Sequence, residues 1–143
     1  MPSTLPMPST FKGALRAATL LLLSLFFAAA GVAHFTMTDD FAQIVPPFLP
    51  FPELIVQITG AMELVFALGL LWPKWRARTG WALSVFLLCV LPANIYMALE
   101  GMPLGDFATS KFSLWVRVGL QFPLITLILW SARSLERKRG RGS

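Results

Sequence analysis

Five side chains carry the polar chemistry of an otherwise apolar chain: His34, Glu63, Asn94, Arg117 and Gln121. Each falls inside or at the end of a long apolar run. A polar or ionisable group in that position is expensive and therefore marks a functional-site hypothesis. Glu63 is the centre of the set, and it needs a cation or a hydrogen-bond set to stay buried. Its candidate partners are Arg117 and His34, with Asn94 and Gln121 completing hydrogen bonds. Helical spacing groups the residues further. Gln57, Gly60 and Glu63 recur every three residues on neighbouring parts of one face, and Arg117 and Gln121 stand four apart on another.

Three kinds of chemistry fit this set. The residues can be polar glue that holds helices together. They can line a pocket, open to the outer face or outer leaflet, that binds a small or amphiphilic ligand. Glu63 and His34 can also act directly as acid and base. Other chemistries are excluded by count. His34 is the sole histidine, so neither bis-histidine haem nor a multi-histidine metal site can form. Cys89 is the sole cysteine, which removes intramolecular disulfides and CxxC redox pairs. With apolar residues on both sides, Cys89 reads as a packing residue.

The elements that must position these residues follow from composition. Charged residues make up 13% of the 143 residues, and mean hydropathy is +0.68. A soluble domain carries about 25% charged residues. The apolar residues also come in blocks long enough to cross a bilayer. The pattern predicts one all-α membrane domain over residues 1–143, a bundle of four transmembrane helices. Residues 1–10, rich in Pro, Ser and Thr, read as a disordered lead-in. Lys12, Arg16, the Leu-rich run and Ala28-Ala29-Ala30 resemble a signal peptide. The run continues to Phe35, however, and a helix over 12–35 spans roughly 35 Å, which suits an uncleaved first span. Asp39 and Asp40 are expected to cap a short interfacial turn that Pro46-Pro47 ends.

Further helices are expected over 52–72, 79–99 and 112–130, with prolines at 92 and 123 inside the last two. Pro92 frees the carbonyl of Leu88, which a neighbour must satisfy. Gly60 and Gly119 are the candidates for close helix approach, and residues 100–110 form a turn-rich loop. Depth along each helix puts His34 at the outer end of the first span, and Glu63 about 16 Å below the outer end of the second.

Basic residues cluster on one side of such a bundle, from Lys12 and Arg16 through Lys74, Arg76 and Arg78 to the 133–143 tail. The positive-inside rule makes both termini cytoplasmic. Topology thus accounts for the net charge of +5, and no aromatic–basic surface pattern points to nucleic acid. The expected partner is the lipid bilayer, and the basic tail is a secondary candidate for anionic lipid.

Five stretches resemble the DoxX-like family of small four-helix membrane proteins. They are Gly31-Val32-Ala33-His34-Phe35, Ile44-Val45-Pro46-Pro47-Phe48-Leu49-Pro50, Gly60-Ala61-Met62-Glu63, Pro92-Ala93-Asn94-Ile95-Tyr96-Met97-Ala98 and Trp115-Val116-Arg117-Val118-Gly119-Leu120-Gln121. One departure is Val118-Gly119, where the family pattern has Leu-Pro. The resemblance implies a four-helix bundle in a bacterial inner membrane. Its implications for activity are broad, covering a quinone-linked oxidoreductase subunit, oxidant-defence complexes and receptor-assembly chaperones. A bound quinone is compatible with the polar set.

The expectation is an accessory membrane protein whose outer-half pocket of His34, Glu63, Asn94, Arg117 and Gln121 binds a small hydrophobic or quinone-like ligand or a protein partner, with Glu63 and Arg117 as the central charge pair and His34 and Asn94 orienting what binds. An accessory subunit of a quinone-linked membrane oxidoreductase is the first alternative. A membrane-embedded isomerase using Glu63 is the second.

Overall fold

A computed structural model of the chain describes residues 9–102 and 110–133. Among the described residues there are five helices: α1 (Ser9–Thr36), α2 (Thr38–Gln43), α3 (Pro52–Leu71), α4 (Arg76–Glu100) and α5 (Lys111–Ala132). All except α2 are long and apolar enough to cross a membrane. Among the described residues there is no strand. The expected lead-in falls mostly, and the basic tail almost wholly, outside the described residues, as does most of the 100–110 loop.

The helix bounds follow local chemistry. Pro52 starts α3 at a position where its missing N–H is harmless. Phe51 ahead of it takes the left-handed conformation, φ 56°, so the 46–52 segment is not uniformly extended as its prolines suggest. Gly101 ends α4 with φ 67°, the left-handed cap for which glycine is suited. The Ser110 hydroxyl accepts from the Ser113 N–H and caps α5. Asp39 and Asp40 lie within the first turn of α2 instead of capping it, and that helix has no side-chain cap. Their charge still favours the positive end of the helix dipole.

The spanning helices are antiparallel in sequence order. Here α1 packs most extensively on α3, and α4 on α5; the contacts between these two pairs are sparser. The start of α1 meets the end of α5, where the Arg16 guanidinium lies 5.3 Å from the centre of the Trp130 ring. That end of the bundle is called the terminal end below, and the opposite one the loop end. Two apolar layers fill the interior. Leu20, Leu23, Phe27, Leu70, Leu83 and Ile128 belong to the layer nearer the terminal end. Phe41, Ile44, Val56, Met97 and Leu114 belong to the layer nearer the loop end. Outward, α1 exposes Leu21, Leu22, Leu25 and Phe26, an apolar surface that suits contact with lipid.

The helices approach closely at glycines. A Cβ on Gly31 would lie 2.8 Å from the Gly60 carbonyl oxygen, and one on Gly80 would lie 2.6 Å from the Ala132 Cβ. Ser24 also bridges α1 to α3 by donating its hydroxyl hydrogen to the buried Ala67 carbonyl. Gly119 plays no such part, since nothing lies within 4 Å of a Cβ built there.

One feature of the loop end departs from a simple four-rod bundle. His34 lies level with Gly60, eight residues into α3, whereas only two residues of α1 remain beyond it. At 1.5 Å per residue, α1 therefore stops roughly 9 Å short of the start of α3. The space above its end is filled by α2, whose Phe41 is buried against the loop-end layer.

Candidate functional site

The shortened α1 determines the site. It carries His34 down into the bundle instead of leaving it at the outer boundary, as depth counting predicts. Gly60 opens the room, because a Cβ at that position would lie 2.6 Å from the His34 Cβ. Glu63 follows one turn later on the same face of α3, and its Oε2 stands 3.1 Å from His34 Nδ1. From above, Phe41 of α2 stacks on the imidazole, with ring centres 4.2 Å apart and planes inclined by 21°. The ring is thus held between a glycine-lined helix face, a carboxylate and an aromatic lid.

The protonation geometry of the ring is set by a second neighbour. His34 Nδ1 is 2.8 Å from the Ala30 carbonyl oxygen. A carbonyl oxygen only accepts, so Nδ1 carries a proton and donates it to Ala30. The Ala30 carbonyl and the Glu63 carboxylate, 3.1 Å from the same nitrogen, therefore compete for one hydrogen. Glu63 is 8% exposed, and its Oε2 is buried with no hydrogen-bond partner. Buried polar atoms are otherwise nearly always paired.

Arg117 is not the ion-pair partner of Glu63 that the sequence reading makes central. Among the described residues, the ionic contact of Glu63 within 4.0 Å is to His34. Arg117 is exposed on α5, but it is near enough for its charge to act on both Glu63 and His34. Asn94 and Gln121 form a separate couple, in which Asn94 Nδ2 donates to Gln121 Oε1 at 3.1 Å. The Gln121 amide in turn donates to the Leu87 carbonyl of α4. This is the service expected near Pro92, delivered one carbonyl earlier than the Leu88 group that the proline itself leaves without a donor. Gln57, expected to extend the Gly60–Glu63 face, is exposed.

The five candidate residues therefore divide between the helix pairs. His34 and Glu63 belong to α1–α3, Asn94 and Gln121 to α4–α5, and Arg117 stands within electrostatic reach of the first couple. Two apolar cavities lie elsewhere, between α3 and α4. One, of about 740 Å³, is lined by Leu68, Trp72, Trp75, Arg78 and Thr79, among others. The other, of about 570 Å³, includes Ile55, Met62, Val85 and Cys89. None of the five polar candidates lines either cavity. Cys89 is exposed on this face, not packed into the core. Among the described residues no group of three or more His, Cys, Asp or Glu side chains is placed to hold a metal.

The spacing that sequence reasoning missed is a repeated one. Gly31 precedes His34 by three residues on α1, and Gly60 precedes Glu63 by three on α3. In a helix this puts each glycine beside its titratable neighbour on one face. The two glycines make the close approach, and the two polar residues meet beside it.

No curated protein and no solved structure matches the chain. One family profile does, over residues 23–133, and all five candidate residues lie within that match; its description is Domain of unknown function (DUF8561).

Proposed function

Because the chain belongs to this family of unknown function, we propose its role from its own residues: it is a membrane-embedded binding protein for a small hydrophobic or quinol-like ligand. The observation that carries the reading is Glu63 Oε2, a buried carboxylate oxygen without a hydrogen bond. A phenolic or quinol-like hydroxyl satisfies it by donating one hydrogen. Arg117, close enough to act on Glu63 electrostatically, offers guanidinium donors to an acceptor on the same molecule. A quinone-type ligand, when bound, supplies reversible two-electron chemistry. The residues of this chain supply binding and orientation.

His34 has a positioning role, because its ring is fixed by Ala30 and Phe41 and braces the carboxylate. Asn94 and Gln121 use their amides on each other and on Leu87, so they hold α4 against α5 beside the site. The DoxX-like resemblance supports a bacterial inner-membrane location. The concentration of Lys and Arg at the terminal end supports cytoplasmic termini. The ligand then enters the half of the bundle that faces away from the cytoplasm.

The test is native mass spectrometry of protein extracted gently from its own membrane, with organic extraction of the same sample. A stoichiometric small molecule that is lost in Glu63→Leu is expected. An empty protein, or one whose small molecule survives that substitution, overturns the reading.

A further inference from the structure

The two cavities between α3 and α4 share Phe66 and Ala82 in their walls, so they form one continuous groove, and Glu63 is not among its lining residues. Along α4 the groove extends from Arg78 to Ala93. That is roughly 22 Å at 1.5 Å per residue, more than half of the ~30 Å hydrocarbon thickness of a bilayer. Each cavity is within the ~300–1,000 Å³ typical of small-molecule sites. The walls are apolar for most of this length, and no acidic residue lines either cavity.

The terminal end of the groove is different in kind. Trp75 lies at its mouth and gathers two cations, with Lys74 Nζ 5.9 Å and Arg78 Cζ 5.4 Å from the ring centre. Among the described residues neither cation has a carboxylate within ion-pair distance. Arg76, between them in sequence, is already engaged: its Nε donates to the Leu70 carbonyl at 2.9 Å and a terminal nitrogen donates to Leu71 at 3.3 Å. It thereby closes the carbonyl end of α3, where a cation also suits the helix dipole. Lys74 and Arg78 have no such structural duty. Two like charges on one indole, beside a long apolar groove, are relieved by an anion that brings an apolar chain with it.

We propose that this groove is a specific site for an anionic phospholipid. Its phosphate lies against Lys74 and Arg78, and one acyl chain lies along α3 and α4 past Phe66 and Ala82. Basic pockets between membrane helices are known to take anionic headgroups in this way. Charge complementarity selects this occupant over a zwitterionic lipid, whose own cation competes at the same two side chains. It also selects it over an apolar protein helix, which leaves them without a counter-ion.

The experiment is native mass spectrometry of the full-length protein in detergent, titrated with phosphatidylglycerol or phosphatidylcholine. Wild-type protein is expected to take up one phosphatidylglycerol with at least about fivefold preference, since a basic residue near the headgroup contributes about this factor. The Lys74→Gln/Arg78→Gln double variant is expected to lose that preference. Both positions are exposed, and circular dichroism checks that the helices are retained. Lys12→Gln, which removes a basic residue outside the groove, is expected to keep it. Ala82→Trp, which fills the groove, is expected to weaken both lipids. Equal uptake of the two lipids by wild type overturns the proposal, as does a preference retained in the double variant or lost equally in Lys12→Gln. Glu63→Leu is expected to leave phosphatidylglycerol uptake unchanged, which separates this site from the polar one.

Discussion

Replacing Gly60 with alanine tests the central geometric claim, that a glycine-lined seam lets His34 reach Glu63. The added Cβ would lie 2.6 Å from the His34 Cβ, 3.0 Å from the Gly31 carbonyl oxygen and 3.2 Å from Phe35 Cε2. Carbon atoms rest at about 3.5–4.0 Å, so α1 must move away by about 1 Å. Overpacking of this kind costs about 1–3 kcal/mol. Two of the three neighbours are a Cβ and a backbone oxygen, neither the free end of a flexible side chain. The expected penalty is therefore in the upper part of that range, about 2–3 kcal/mol. Alanine returns about 1 kcal/mol through helix propensity. The net expectation is a loss of about 1–2 kcal/mol in stability, a factor of roughly 5–30 in the folded-to-unfolded ratio. Gly119→Ala is the internal control. It meets no atom within 4 Å and should gain about 0.5–1 kcal/mol. Both are measured by steric trapping in bicelles, which reads unfolding without leaving a bilayer-like solvent. If Gly60→Ala and Gly119→Ala shift stability in the same direction and by similar amounts, the tight α1–α3 seam does not exist as described.

Three further outcomes are expected. Gln121→Leu should cost about 1–3 kcal/mol, because it leaves the Asn94 amide without its partner and removes the side-chain hydrogen bond to the Leu87 carbonyl. The Asn94→Leu/Gln121→Leu double variant should then cost clearly less than the sum of the two single changes, and strict additivity would show that the couple is absent. In paired leucine substitutions, Glu63 should show stronger energetic coupling to His34 than to Arg117, because only His34 lies within ion-pair distance; the reverse order would restore Arg117 as the central cation. For topology, a carboxy-terminal green fluorescent protein fusion should fluoresce and an alkaline phosphatase fusion at the same point should be inactive, and the opposite pair of results would invert the orientation.

Much of the fold was legible because the bilayer simplifies the code. Long apolar blocks ended by Pro52, Pro73 and the glycine at 101 identify the spanning helices to within three residues of the observed ends. Polar residues inside those blocks identify Glu63, Gln121 and Asn94 as groups needing partners. The choice of partner was less legible. Depth and face are properties of one helix, whereas a contact depends on how two helices are rotated and how far each extends. The sequence offers both residues for Glu63 and favours Arg117, the permanent cation, as the central partner. The early end of α1 and the inward packing of Phe41 then favour His34. The same limit explains the glycines. Gly119 and Gly60 look alike in sequence, but only Gly60 faces another helix. Cys89 looks like core because its neighbours are apolar, yet in a membrane apolar residues face outward as readily as inward.

The division of the polar residues between two helix pairs has a consequence for biogenesis. The chain emerges from the ribosome in order, and α1 with α3 is complete before α4 is made. His34 is the residue needed to brace Glu63, and it is already present in that first hairpin. Gln121, which covers the Leu87 carbonyl near Pro92, arrives on the other arm of the second hairpin. Each hairpin thus carries one polar couple of its own, whereas Arg117 on the second hairpin finds its electrostatic neighbours, Glu63 and His34, only on the first. The first hairpin can form its own contacts before the second is made, and the charge of Arg117 is met only when the two halves come together.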